Sequence, residues 1–179
     1  MADTIRSKAD LVALLPDNTT NLISPQDVRD FLISVLDVQA GLQETTTRTV
    51  TGNEAPAAFN STSLSGLANM AINSSGFSTT LASGTITAPV DGVYTVHLDL
   101  LLAPTDTQAY DFYVYLNGSP VSGLVWGFTL TGSGDRESLS VHVPLDLSAN
   151  DDIQIYYGAG VDSSDFQVLK FFFWLERIG

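Results

Sequence analysis

Phe166-Gln167-Val168-Leu169-Lys170-Phe171-Phe172-Phe173-Trp174-Leu175-Glu176-Arg177-Ile178 is the stretch on which the fold class turns. Read with the two-residue period of a strand, it puts Leu169, Phe171, Phe173 and Leu175 on one face. The other face carries Phe166, Val168, Lys170, Phe172, Trp174 and Glu176. The first set is an expected core face. The second would meet water in an isolated chain, yet it holds Phe172 and Trp174. A strand apolar on both faces is either central and covered or part of a subunit contact.

The same alternation runs upstream. Tyr94, Val96, Leu98 and Leu100 alternate with Thr95, His97 and Asp99; Tyr110, Phe112, Val114 and Leu116 alternate with Asp111, Tyr113 and Tyr115. Leu139, Val141, Val143 and Leu145 alternate with Ser138, Ser140, His142 and Pro144, and Ile153, Ile155 and Tyr157 continue the pattern. Turn residues cut these runs at 89–92, Asn117-Gly118, 132–135 and 149–152. Strands of this length and spacing predict an antiparallel sandwich or barrel over residues 52–179.

The first 44 residues read differently. Ser7 can cap a short helix that stops at Pro16-Asp17. Ser24-Pro25-Gln26-Asp27 is a second helix start: a capping hydroxyl, a proline at the first helical position and a carboxylate at the positive helix end. Val28, Phe31, Leu32, Val35 and Leu36 then form one apolar stripe. About 14 helical residues cannot hold such a stripe alone, so it needs a partner, a symmetry mate or the sandwich. Residues 1–44 are thus expected to be a helical anchor and residues 45–51, with Thr45-Thr46-Thr47, a linker.

Charge excludes several roles. The chain of 179 residues has 7 Lys and Arg against 20 Asp and Glu, a formal net charge of −13. Residues 49–179 carry 13 of the acids and only three bases. Nucleic acid and anionic membrane surfaces both require a basic footprint, so neither is an expected partner. Charged residues are 15% and apolar residues 44% of the chain, the composition of a folded domain rather than an acidic tail. There is no Cys, hence no disulfide and no thiolate site. The apolar run Leu11–Leu15 is too short for a secretory signal, and no stretch approaches the 18 residues of a membrane span; a soluble protein that enters the cytoplasm as made is expected.

Three segments carry a resemblance. Thr87-Ala88-Pro89-Val90-Asp91-Gly92-Val93-Tyr94-Thr95-Val96 resembles the A-P-x-x-G-x-Y strand start of the tumour-necrosis-factor-like and complement globular-head jelly rolls. Tyr113-Val114-Tyr115-Leu116-Asn117-Gly118 is similar to their Y-x-L-N-G hairpin. Leu145–Ile153 is similar to their L-x-L-x-x-G-D-x-V run, with Asn150 in place of Gly. The motifs follow in family order over roughly residues 77–178, the reach of a jelly roll of about 130 residues. Residues 14–31 resemble the N-terminal region of many tailed-phage virion proteins. The two resemblances together imply a mainly β, homotrimeric phage surface protein: a jelly-roll knob behind a short helical anchor.

Site expectations follow from both readings. Phe172 and Trp174, with His97 and Tyr156, are the expected trimer interface; cover by residues 52–76 is the competing reading for the two large aromatics. The resemblance places His97 beside the last strand near a threefold axis, where three copies would bind an ion or titrate. An ordinary surface histidine is the simpler reading. Leu22, Ile23, Phe31, Leu32, Val35 and Leu36 are the expected virion-anchoring residues, against docking on the protein's own sandwich. Trp126 and Phe128 are candidate ligand contacts. Asp151, Asp152, Asp162 and Asp165 offer hard oxygen ligands for Ca²⁺, but without any EF-hand spacing they read first as solvated acidic loops, and no cofactor is expected. With two His and no nucleophile elbow, no catalytic residues are assigned. The expected function is a capsid decoration, cement or head-fibre protein at the virion surface. It would bind itself and the major capsid protein or another virion protein, and in an adhesive role a host glycan or protein. The alternatives are a receptor-binding tail-fibre tip and a secreted cytokine-like or lectin-like ligand.

Overall fold

In the computed structural model, the residues described are 28, 29, 31, 39–53, 55–71, 73–74, 76–105, 107–130, 136–158 and 165–178. Their strands form two antiparallel sheets. The first has the order β10 (Glu137–Leu147), β7 (Gly92–Pro104), β12 (Phe166–Arg177), β1 (Gln39–Glu44) and β4 (Ala68–Asn69); β2 (Arg48–Val50) also pairs with β12. The second runs β5 (Ser78–Thr80), β6 (Thr85–Thr87), β11 (Asp152–Gly158), β8 (Gln108–Leu116) and β9 (Ser119–Leu130), with β3 (Ala57–Ala58) beside β11. Successive strands β7 to β12 alternate between the sheets as a jelly roll requires, apart from the β8–β9 hairpin.

That hairpin is set locally. Asn117 and Gly118 both adopt positive φ, 51° and 77°, the geometry of the tight turn whose twist suits two antiparallel strands. The strands of the two sheets bury their expected faces against each other. Tyr94, Val96, Leu98, Leu100 and Leu102 of β7 meet Tyr110, Phe112 and Val114 of β8 and Ile153, Ile155 and Tyr157 of β11 in one core. Tyr94 satisfies its buried hydroxyl by donating to the Val90 carbonyl at 2.8 Å.

Three expectations are corrected. First, the strict alternation of β12 fails at Leu169. The pairing with β7 shifts register between Val168 and Lys170, so one residue is inserted and the faces exchange. Phe166 and Val168 are fully buried with Phe171, Phe173 and Leu175, whereas Leu169 is half-buried. Second, the sandwich starts before residue 52. Gln39–Glu44, assigned above to the helical segment, is a strand inserted between β12 and β4, and Arg48–Val50 of the expected linker pairs with Phe166–Val168. Buried Glu44 is held by the Thr46 amide and by Arg48 Nε at 2.7 and 3.0 Å. Burial pushes its carboxyl pKa up, but these hydrogen bonds and the Arg48 charge outweigh that and hold it below the usual value. Third, the stretch 52–76 contributes core as well as edge cover. Phe59 is 1% exposed and touches the rings of Phe112, Tyr157, Phe166 and Phe171.

Of the expected anchor, Val28, Arg29 and Phe31 are helical, with Val28 46% and Phe31 37% exposed. Leu22, Ile23, Leu32, Val35 and Leu36 lie outside the described residues. Among the described residues no helix is long and apolar enough to cross a membrane.

Candidate functional site

The outward face of the first sheet carries a continuous row. Across neighbouring strands, His142 of β10 stands opposite His97 of β7, His97 opposite Trp174 of β12, and Trp174 opposite Gly41 of β1. A Cβ at Gly41 would come within 2.4 Å of Met70 Sδ and 2.7 Å of Trp174 Cβ, so only glycine lets Met70 and the indole close over the strand. The neighbouring row runs Ser140, Asp99, Phe172 and Gln43. Phe172 and Trp174 are therefore half-buried by edge contacts and still present aromatic surface outward.

The row is chemically organised. The His97 ring lies flat on Trp174, centroids 4.3 Å apart at 4°. Its Nδ1 is 2.5 Å from His142 Nδ1. Its Nε2 is 3.2 Å from Glu176 Oε2, close enough for an ion pair but without hydrogen-bond alignment. His142 Nε2 contacts Ser140 Oγ at 3.3 Å, and Ser140 donates to Asp99 Oδ1 at 2.5 Å. Desolvation, then the neighbouring His142, hold the His97 pKa below its usual value; Glu176 and Asp99 oppose this without reversing it.

The remaining expected residues fall elsewhere. Tyr156 lies on the other sheet, so it does not join Phe172, Trp174 and His97 in one patch. Its ring stacks on Tyr115 at 3.8 Å and 11°, and Tyr113 stands edge-on to Tyr115 at 6.4 Å. This tyrosine cluster was not singled out from the sequence, although alternation already put Tyr113 and Tyr115 on the outward face of their strand. Trp126 is packed against the core and only partly accessible. The Phe128 side chain lies outside the described set, as does Asp162.

The other aspartates organise turns. Asp151 Oδ1 accepts from Asn117 Nδ2 and its Oδ2 from the Ser148 amide, at 2.7 and 2.8 Å. Asp152 Oδ1 accepts from Thr87 Oγ1 at 2.6 Å, and Asp165 Oδ1 from the Gly52 amide at 3.2 Å. Among the described residues no group of three or more His, Asp or Glu stands in metal-holding geometry. An open cleft of about 290 Å³ is lined by polar side chains including Thr51, Asn53, Asn60, Thr62, Ser63 and Tyr157. It has hydroxyls and amides but no carboxylate or imidazole among those lining residues. Burial raises the Tyr157 pKa, and its hydroxyl is occupied by the Thr51 carbonyl and Asn53 Nδ2.

No family model and no curated protein matches the chain. Solved structures match in fold. The Eiger TNF from S. frugiperda superposes with a TM-score of 0.53 at 14% identity, covering 79% of this chain and 92% of its own. The globular domain of zebrafish complement 1qA protein gives 0.52 at 17%, covering 79% and 98%. The fold is a tumour-necrosis-factor-like jelly roll. PRD1 vertex protein P5 shares it, with a TM-score of 0.52, 13% identity and coverage of 80% and 99%. At such identities the likeness speaks for architecture alone.

Proposed function

We propose that the protein is a structural, non-enzymatic component of a virion surface, a capsid decoration or head-fibre protein whose jelly-roll knob forms a homotrimer. The observation that carries this reading is the outward face of the first sheet, where Trp174 stands beside His97 and Phe172 beside Asp99 on strands already covered on their other side. Buried aromatic anchors are the usual centres of subunit contacts. The resemblance of residues 14–31 to virion proteins, and a jelly roll shared with a vertex protein, support the location. In this reading the segment containing Leu22, Ile23, Phe31, Leu32, Val35 and Leu36 attaches to a capsid or other virion protein. Three such segments on one trimer gain avidity without new contacts. The net charge of −13 keeps neighbouring knobs apart and makes nucleic acid and anionic membranes unfavourable partners.

A second reading, a receptor- or glycan-binding knob, is favoured by the tyrosines Tyr113, Tyr115 and Tyr156 on the opposite sheet, whose rings and hydroxyls together suit a polar ligand. Light scattering of the full chain tests the trimer. The expected mass is three times the 19.1 kDa of one chain. A monomer at micromolar concentration would remove the proposal's architecture and leave the ligand-binding reading.

A further inference from the structure

The two histidines of the chain are 45 residues apart in sequence and directly opposite each other on β7 and β10. Their Nδ1 atoms converge to 2.5 Å. The outer nitrogen of His142 is met by the Ser140 hydroxyl, and that of His97 lies near the Glu176 carboxylate without hydrogen-bond alignment. Ser140 has a single hydroxyl proton, and it goes to Asp99, so Ser140 Oγ faces His142 Nε2 as an acceptor and that nitrogen carries the proton. The Glu176 carboxylate faces His97 Nε2 and favours a proton there as well. With both Nε2 atoms protonated, both Nδ1 lone pairs point into the same space. Two lone pairs at that distance repel, and the arrangement becomes favourable when one cation stands between them.

We propose that His97 and His142 form a binding site for a divalent transition cation of the Zn²⁺, Ni²⁺ or Cu²⁺ class, each ring donating Nδ1. Imidazole nitrogen suits these borderline ions, whereas the hard cations prefer oxygen. The polar groups behind the rings match the outer-shell arrangement of metal-bound histidines, in which a carboxylate or hydroxyl fixes the tautomer and orients the ring. Ser140, backed by Asp99, stands in that position for His142; on the His97 side the Glu176 carboxylate lies 3.2 Å from Nε2 and acts through its charge, without hydrogen-bond alignment. Tetrahedral coordination at about 2.0–2.1 Å per bond sets the nitrogens about 3.3 Å apart, a small opening of the present pair. Water completes the shell on the solvent side, because His142 is exposed. Trp174, stacked under His97, limits how far that ring can turn. The site lies within one chain and does not depend on trimer formation.

The test uses the full chain, treated with a chelator and then freed of it, titrated calorimetrically with Zn²⁺ and separately with Ni²⁺ at pH 7.5. The expected result is one ion per chain, with affinity lowered at least tenfold in His142→Gln and in His97→Gln and unchanged in Asp151→Asn. Saturating Zn²⁺ should raise the wild-type melting temperature by about 5 °C and leave His142→Gln unmoved. Because His142 is exposed, His142→Gln leaves the core intact, and its metal-free melting temperature checks this. Absence of wild-type binding would overturn the proposal and leave the pair as a proton-sharing contact. Binding that survives both histidine substitutions would also overturn it, placing the ion on the acidic turns.

Discussion

The two sheets bury the same kind of residue between them and present different chemistry outside. On the second sheet the outward aromatics described are tyrosines: Tyr115 and Tyr156 stack, Tyr113 stands edge-on to Tyr115, and the Tyr113 hydroxyl donates to Asp111 Oδ2 at 3.3 Å. A tyrosine on a wet face keeps its hydroxyl in water or on a carboxylate, so this surface is stable as it stands. On the first sheet the outward aromatics are Phe172 and Trp174, with Leu101 beside them and a compact His97–His142 contact at one side. Phe172 has no polar edge to offer water. The difference teaches that outward aromatic surface is not one property. One face is finished by its own polar groups, and the other, the face that the proposed trimer would cover, keeps apolar aromatic surface outward.

The comparison rests on a shared core, and the largest expected effect would break that core. Phe59→Ala removes a ring packed against Phe112, Tyr157, Phe166 and Phe171 and should destabilise the fold by about 3–5 kcal/mol in chemical denaturation. A loss below about 1 kcal/mol would show that residues 52–76 merely drape over the sandwich. Gly84→Ala should have a comparable effect. Gly84 has φ +68°, and a Cβ there would sit 1.7 Å from the Phe59 carbonyl oxygen, so both the turn and the Phe59 position must shift.

A smaller effect sharpens the contrast between the faces. Gly41→Ala should push Met70 and Trp174 away from β1, lowering the melting temperature and raising the accessibility of the indole to a collisional quencher. Gly127→Ala, on the second sheet, meets only Asp111 Oδ1 at 3.0 Å, the end of a side chain that can turn away. It should leave both readouts near wild type.

The mildest prediction concerns pH. The folded-state pKa of His97 is depressed below its usual value near 6.5, so below that pH the unfolded chain binds a proton that the folded chain resists. Stability is then full above about pH 6.5 and falls as the solution is acidified toward the folded value. The melting temperature should fall between pH 7.5 and 5.5, and His97→Gln should flatten that slope. Glu44 adds a second loss at lower pH. Its folded pKa is also depressed, so its contribution is present above the usual carboxyl value and disappears as pH falls through the folded value. An equal slope in wild type and His97→Gln between pH 7.5 and 5.5 would remove His97 from this account.

Much of the fold was legible because alternation is local. The core faces of β7, β8, β10 and β11 and the Asn117-Gly118 turn follow from residue type alone. The parts that were not legible depend on the rest of the molecule. A bulge at Leu169 inserts one residue, so the faces inferred for Phe166 and Val168 before it are reversed while those of Phe171 to Leu175 after it stand, yet nothing in Val168-Leu169-Lys170 announces it. Gln39-Ala40-Gly41-Leu42-Gln43-Glu44 has no strong strand propensity. It becomes a strand because β12 offers it an edge, with Ala40, Leu42 and Glu44 all buried. Phe59 could not be assigned to the core without knowing that four aromatic rings leave a gap for it. The candidate site was half legible. Phe172 and Trp174 stood out as apolar residues on the wrong face, and His97 as a polar-face histidine. The His97–His142 contact depends on the long-range register of β7 against β10, and that Tyr156 lies on the opposite sheet from Phe172 and Trp174 was not legible, because strand alternation does not say which sheet a strand joins.

The most direct test of the central claim is the solution mass, by light scattering at neutral pH, of the wild-type chain beside Phe172→Glu and Tyr115→Glu, with circular dichroism to confirm that each is folded. Self-association through the first sheet predicts a trimer for wild type and Tyr115→Glu and a folded monomer for Phe172→Glu. A trimer that survives Phe172→Glu, or one lost in Tyr115→Glu alone, would contradict the account and move the interface to the opposite face.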